Sequence, residues 1–201
     1  MKRVLITGGN GDIAKAIGHR LANEGFEVYT PNSLQLDVTD SYGIKLMMEL
    51  VKPDILINCA GYIKPQALVD LTVEELYNHI DINLIGSIMC AKYAVQNGAT
   101  HVINIGSSAG VNPKGGWLAY CVSKSALTMF QKCLEEEGIE CLTLHIGRTD
   151  TKMRSKLFPN ETKELLMSPE DVADAIFCAI RDGKDGVWQL RKRTRDWELI
   201  E

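Results

Sequence analysis

The 201-residue chain contains no apolar run near the roughly 20 residues that a membrane-spanning helix requires, and its opening Met1-Lys2-Arg3-Val4-Leu5-Ile6 reaches Thr7-Gly8-Gly9 too soon for a secretory leader. No membrane is expected as a partner, and the expected address is the cytoplasm. Its six cysteines, Cys59, Cys90, Cys121, Cys133, Cys141 and Cys178, form no CxxC and stand in no close pattern with the four histidines. That excludes the usual zinc and redox-dithiol spacings, so the thiols read as reduced packing residues and no metal is expected. Positive charge is also scarce: 22 Lys and Arg against 26 Asp and Glu leave a net charge of −4, which argues against nucleic acid as a partner. The exception is Arg191-Lys192-Arg193-Thr194-Arg195, read as a solvated strand end or tail. Linkers, internal repeats and low-complexity stretches are missing. A single domain over residues 1–201 follows, with no room for a separate substrate domain.

What the chain does contain is an alternation of short aliphatic runs with longer amphipathic stretches. Strands are predicted at Arg3 to Ile6, Glu27 to Tyr29, Leu34 to Leu36, Asp54 to Asn58, His101 to Ile105, Glu140 to His145 and Gly186 to Leu190. Between them the spacing predicts helices at Asp12 to Asn23, Ser41 to Val51, Val73 to Gln96, Ala119 to Glu137 and Pro169 to Arg181. Strands separated by helices of ten or more residues need right-handed crossovers. The predicted fold is therefore α/β, a doubly wound parallel sheet of about seven strands with helices on both faces. Ligands bind such sheets beyond the carboxyl ends of the strands, where the strand order reverses.

The residues after each strand carry the chemistry. Gly8, Gly9, Asn10, Gly11, Asp12 and Ile13 follow the first strand and open the first helix, where glycines permit a close approach of backbone to phosphate and free N–H groups face the anion. Asp12 would repel a phosphate and is expected to point away from it. The second strand ends in Thr30, Pro31, Asn32 and Ser33, without the carboxylate that holds a ribose 2′-hydroxyl in NAD sites. Asn32 and Ser33 would tolerate a 2′-phosphate, so NADP(H) is favoured over NAD(H), narrowly. Asn58, Ala60 and Gly61 end one central strand and Ser107 follows the next. Tyr120 and Lys124 lie four residues apart, on one face of a helix.

With these motifs the chain resembles the short-chain dehydrogenase/reductase family, in order from Lys2 to about Ile180. The resemblance implies a Rossmann-fold oxidoreductase using NADP(H) or NAD(H). It implies an adenine contact at Asp37 and Val38, and a catalytic set of Asn83, Ser107, Tyr120 and Lys124. Gly147, Thr149 and Thr151, in the stretch after the sixth predicted strand, are implied to touch the nicotinamide half. Cys59 and Ile146 depart from the family's usual Asn and Pro. The glycine spacing, closed by Ala14, is that of the family's extended sugar-nucleotide branch, whereas the compactness suits the single-domain branch.

In such a mechanism Tyr120 donates a proton to the developing alkoxide, Ser107 gives it a second hydrogen bond, and the charge of Lys124 stabilises the phenolate. By resemblance, Asn83 distorts its helix to hold a proton-relay water. Tyr62, Trp117 and Met153 are candidate substrate walls, with residues 153–166 predicted to cover a small-molecule carbonyl or alcohol. Two other functions remain open at this point, a nucleotide-sugar epimerase or dehydratase with tightly held NAD, and a dinucleotide sensor without turnover. Ile85, Ile88, Met89, Leu127 and Met129 exceed what one buried helix face needs, and the family's usual assembly implies a homodimer or homotetramer.

Overall fold

The computed structural model of the chain describes residues 1–192 and 197–200. Its strands are β1 (Arg3–Ile6), β2 (Glu27–Tyr29), β3 (Ile55–Asn58), β4 (His101–Ser107), β5 (Glu140–Ile146), β6 (Gly186–Leu190) and β7 (Trp197–Leu199). The helices are α1 (Asp12–Asn23), α2 (Ser41–Val51), α3 (Val73–Ile80), α4 (Gly86–Gln96), α5 (Leu118–Glu136), α6 (Lys152–Leu157) and α7 (Pro169–Asp182). One sheet runs in the order β2-β1-β3-β4-β5-β6-β7, parallel from β2 through β6, with β7 antiparallel against β6. The order reverses at β1, which pairs with β2 on one side and β3 on the other.

Alternation along the strands divides the core into two layers. Val4, Ile6, Ile55, Ile57, Ile103 and Leu144 pack against Ile17 and Leu21 of α1 and Val172 and Ile176 of α7. On the opposite face, Leu5, Leu56 and Val102 meet Ile44 and Met48 of α2 and Ala91 and Ala94 of α4. Strands buried on both faces explain why these segments read as continuous aliphatic runs. Helix α7 starts on a capping box, Ser168 with Asp171, and stops at Gly183 in the left-handed region (φ 61°).

Two predicted elements differ. Leu34 to Leu36 is a turn, because Asn32 captures the local donors. Its Oδ1 accepts from Leu34 N at 2.9 Å, and its carbonyl accepts from Gln35 N and Leu36 N at 3.0 and 2.9 Å. The seventh strand is instead the antiparallel β7. The single helix from Val73 to Gln96 is interrupted at Asp81–Ile85 by a π turn, closed by Gly86 N–H donating to the Asp81 carbonyl. Of the C-terminal basic run, Arg193 to Arg195 lie outside the described residues. Lys192 ties the end of β6 to the carbonyls of Glu164 and Leu166.

Candidate active site

The carboxyl ends of β1, β3, β4 and β5 open into one cavity of about 540 Å³. The turn after β1 forms one end of it. Gly8 (φ 73°) comes so close to β3's extension that a Cβ there would lie 2.8 Å from Ala60 Cα, a position that conformation and space restrict to glycine. Gly9 faces the other way: a Cβ would fall 2.0 Å from the Thr30 carbonyl oxygen, and its N–H donates to the Pro31 carbonyl at 2.9 Å. Gly9 therefore clamps the turn to the end of β2 and does not line the cavity. Gly8, Asn10, Gly11, Asp12 and Ile13 do.

Gly11 caps α1 without any side-chain hydrogen bond to the first-turn amides, which leaves those donors open at the cavity. Asp12, which lines the cavity, accepts through Oδ2 from Lys152 N at 2.7 Å and so joins the start of α1 to the start of α6. A cradle of glycine backbone below uncapped helix donors fits the pyrophosphate of a dinucleotide. Farther along, Ser33, Asp37 and Val38 line the cavity, whereas Asn32 is held in its own turn. Asp37 also holds Thr39 through its Oδ1.

Asn58 is buried below the cavity. Its Nδ2 donates to Asn104 Oδ1 and to the Ser87 carbonyl, both at 3.0 Å, and Asn104 donates onward to Thr143 Oγ1 at 3.3 Å. These three residues are register partners on β3, β4 and β5, so they form a polar rung across the sheet. Ala60 and Gly61 beyond it reach the cavity wall, as do Gly147, Thr149 and Thr151 after β5.

Ser107, Tyr120 and Lys124 all line the cavity. Lys124 is 6% exposed and donates to the Ile105 carbonyl at 2.9 Å; burial lowers its pKa to about 8, with the nearby Cys59 thiol opposing. Burial pushes the Tyr120 phenol up, and the approaching Ser107 hydroxyl pulls it down. Asn83 is fully buried in the π turn. Its Oδ1 accepts from Tyr62 N at 2.7 Å, and its Nδ2 donates to the Tyr62 carbonyl at 2.9 Å and to Ser123 Oγ at 3.0 Å. A Cβ on Gly61 would lie 3.5 Å from Asn83 Oδ1 and 3.8 Å from Lys124 Nζ, so both polar ends converge on that backbone.

Beneath Ser107, His145 is fully buried with its pKa lowered to about 4 by burial. Its Nδ1 contacts the Ser107 carbonyl at 2.8 Å and its Nε2 lies 2.9 Å from Thr128 Oγ1. The Tyr120 ring stands edge-on between Trp117 at 5.8 Å and His79 at 6.3 Å. Tyr62 donates to Glu75 Oε2 at 2.5 Å, and Lys64 is ion-paired to the same carboxylate. Sequence reasoning missed Glu75 and His79, although Glu75, His79 and Asn83 follow one another at four-residue intervals along one helix face.

A doubly wound sheet with a glycine-turn cavity at the reversal of strand order defines a nucleotide-binding α/β protein. The short chain dehydrogenase profile matches residues 30–162, two thirds of the chain, which belongs to that family of oxidoreductases. The 2,3-dihydro-2,3-dihydroxybenzoate dehydrogenase of Bacillus subtilis is 27% identical over 231 residues, covering 89% of this chain and 88% of the relative. Among solved structures, a 4-hydroxyisoleucine dehydrogenase complexed with NADH shares the fold with a TM-score of 0.79 at 23% identity, over 94% of this chain and 97% of that one. A short chain dehydrogenase from Burkholderia cenocepacia in complex with NADP gives 0.82 at 23% identity, over 94% and 96%.

Proposed function

We propose that this protein interconverts a carbonyl and an alcohol with a nicotinamide dinucleotide held in the cavity after β1. The observation that carries the reading is the convergence of Ser107, Tyr120 and Lys124 on one cavity whose other end is the glycine cradle. Gly8, Asn10, Gly11 and the first-turn amides of α1 would hold the pyrophosphate, Asp37 and Val38 the adenosine, and Gly147, Thr149 and Thr151 the nicotinamide half. When bound, the dinucleotide supplies or accepts the hydride.

Tyr120 donates the proton to the carbonyl oxygen and takes it back in the oxidative direction. Ser107 adds a second hydrogen bond to that oxygen as it gains charge. Lys124, protonated at neutral pH with its pKa near 8, stabilises the phenolate form. Asn83 positions the Tyr62 backbone beside Lys124 through its two hydrogen bonds to Tyr62. Tyr62, Trp117 and Met153 wall the substrate side, covered by α6 and the segment to residue 166.

NADP(H) is favoured because residues 30–33 carry no carboxylate, while Ser33 reaches the cavity. No lysine or arginine lines that end among the described residues, so the preference is small. Ile85, Ile88, Val122 and Met129 are exposed on the outer side of the π turn, α4 and α5 and support a homo-oligomer; Leu127 is spent inside the core. Six free cysteines suit the proposed cytoplasmic setting.

The experiment is a titration of wild type and Tyr120→Phe with NADPH and NADH, followed by turnover of a ketone and aldehyde panel. Binding is expected to survive in the variant while turnover falls by about 10² to 10⁴. Substantial turnover by Tyr120→Phe refutes the assignment.

A further inference from the structure

Three cations, Lys114, Arg148 and Arg154, gather around Glu161 and the Trp117–Phe158 pair at the edge of the cavity; Arg154 alone of them lines it, and the one carboxylate is shared by the two arginines. Arg154 lines the cavity and donates to Glu161 through Nε at 2.5 Å and Nη2 at 2.7 Å. Arg148 Nη1 donates to the same carboxylate at 3.2 Å. Lys114 has no carboxylate within ion-pair distance among the described residues. Its ammonium lies over the Trp117 ring at 3.7 Å and the Phe158 ring at 4.4 Å, while the Arg154 guanidinium stands 4.6 Å from the centre of the same Phe158 ring. Burial, and next the charge of Arg154, lowers the Lys114 pKa, and Glu161 only partly opposes them.

One carboxylate divided between two arginines leaves this corner with an excess of positive charge, next to aromatic walls that concentrate its field. Trp117 connects the corner to the reacting group. Its ring is stacked on Phe158 at 5.9 Å and meets Tyr120 edge-on at 5.8 Å. Of the other cations lining the cavity, Lys124 donates to the Ile105 carbonyl and Lys152 is paired with Asp12. An apolar surface that starts at the proton donor and ends at the Lys114 ammonium, which no carboxylate among the described residues answers, with Arg154 beside it, matches a ligand with the reactive group at one end and an anion at the other.

We propose that the substrate is a small carbonyl or alcohol compound carrying a carboxylate, which Lys114 and Arg154 hold while its apolar body lies on Trp117. This rests on the hydride-transfer reading above, and two readouts separate the two ideas. The first is calorimetric binding of benzoate against benzamide to the dinucleotide-loaded protein, which needs no turnover. The second is kcat/KM for acetoacetate and 4-oxopentanoate against their methyl esters.

The acids are expected to bind and react at least about tenfold better than their neutral partners, the scale of a charge-assisted contact. Lys114→Gln, on an exposed loop where folding is not at risk, is expected to remove most of that ratio through KM, and Lys114→Glu to invert it. Equal binding of benzoate and benzamide overturns the proposal, as does an acid preference that Lys114→Gln leaves intact. A loss of dinucleotide affinity in Lys114→Gln equal to its loss of acid affinity also overturns it, since the cations then serve the cofactor. Benzoate binding that depends on Lys114, with no turnover of any acid or ester, upholds the anion site and refutes the hydride-transfer reading.

Discussion

Replacing Lys124 by methionine should make the protein more stable at neutral pH while destroying its site. The side chain is 6% exposed, and its pKa is lowered from an ordinary 10.5 to about 8, chiefly by burial. At about 1.4 kcal/mol per tenfold change in proton affinity, holding the charged form in the folded chain costs about 3 kcal/mol. Methionine keeps the stem and removes the charge, but takes the donor away from the Ile105 carbonyl, a loss of about 1 kcal/mol. The net gain at pH 7 is about 2 kcal/mol, or about 4–8 °C in Tm for a chain of this size.

The sign of the pH dependence follows. Between pH 8 and 10.5 the unfolded wild type keeps the lysine proton that the folded form has released, so wild-type stability rises with pH over that range. The variant's advantage therefore fades from pH 8, is gone near pH 10, and reverses well above pH 10.5, where the lysine is neutral in both states and only the lost hydrogen bond to Ile105 remains. Urea unfolding of both proteins without cofactor at pH 7, 8.5 and 10 measures this directly, because all other titrations cancel in the difference. A variant less stable than wild type at pH 7, or a gap that does not change with pH, refutes the reasoning. A gain would show a site kept at the expense of stability.

Gly9→Ala places a methyl group 2.0 Å from the Thr30 carbonyl oxygen and must push the end of β2 away. A loss of about 2–4 kcal/mol is expected, and a thermal midpoint within 2 °C of wild type would contradict the clamp. His145, with its pKa lowered to about 4 from an ordinary 6.5, binds its proton first in the unfolded chain as pH falls. Stability should decline by about 3 kcal/mol between pH 6.5 and 4 on this account. His145→Gln should flatten that decline in acid denaturation, and an unchanged acid limb would exclude His145 as its source.

The parallel sheet was legible because Val4 to Ile6, Ile55 to Ile57 and Val102-Ile103 are buried on both faces and so read as aliphatic runs. Leu34 to Leu36 misled for a local reason, since the Asn32 side chain outcompetes any strand partner and only Leu36 of the three enters the core. The π turn left no mark in periodicity, because one added residue in a long amphipathic stretch changes no residue's polarity. Of the candidate site, Gly8, Tyr120 and Lys124 stood out by type and spacing, while Asn58 lies in a polar rung between strands. The Lys114 corner depends on residues 34 to 47 positions away from it in sequence, which no local pattern records.

The π turn has a geometric consequence for the whole length of α3 and α4. At about 100° per residue, the nineteen steps from Glu75 to Ala94 would overrun five full turns by about 100°, and the buried residues Glu75, His79, Asn83, Ser87, Cys90 and Ala94 would spiral off one face. The extra residue within Asp81–Ile85 absorbs that angle. It keeps in one line the half of the helix that touches Tyr62 and the half that packs on the sheet, so the two can be fitted to different neighbours without losing phase.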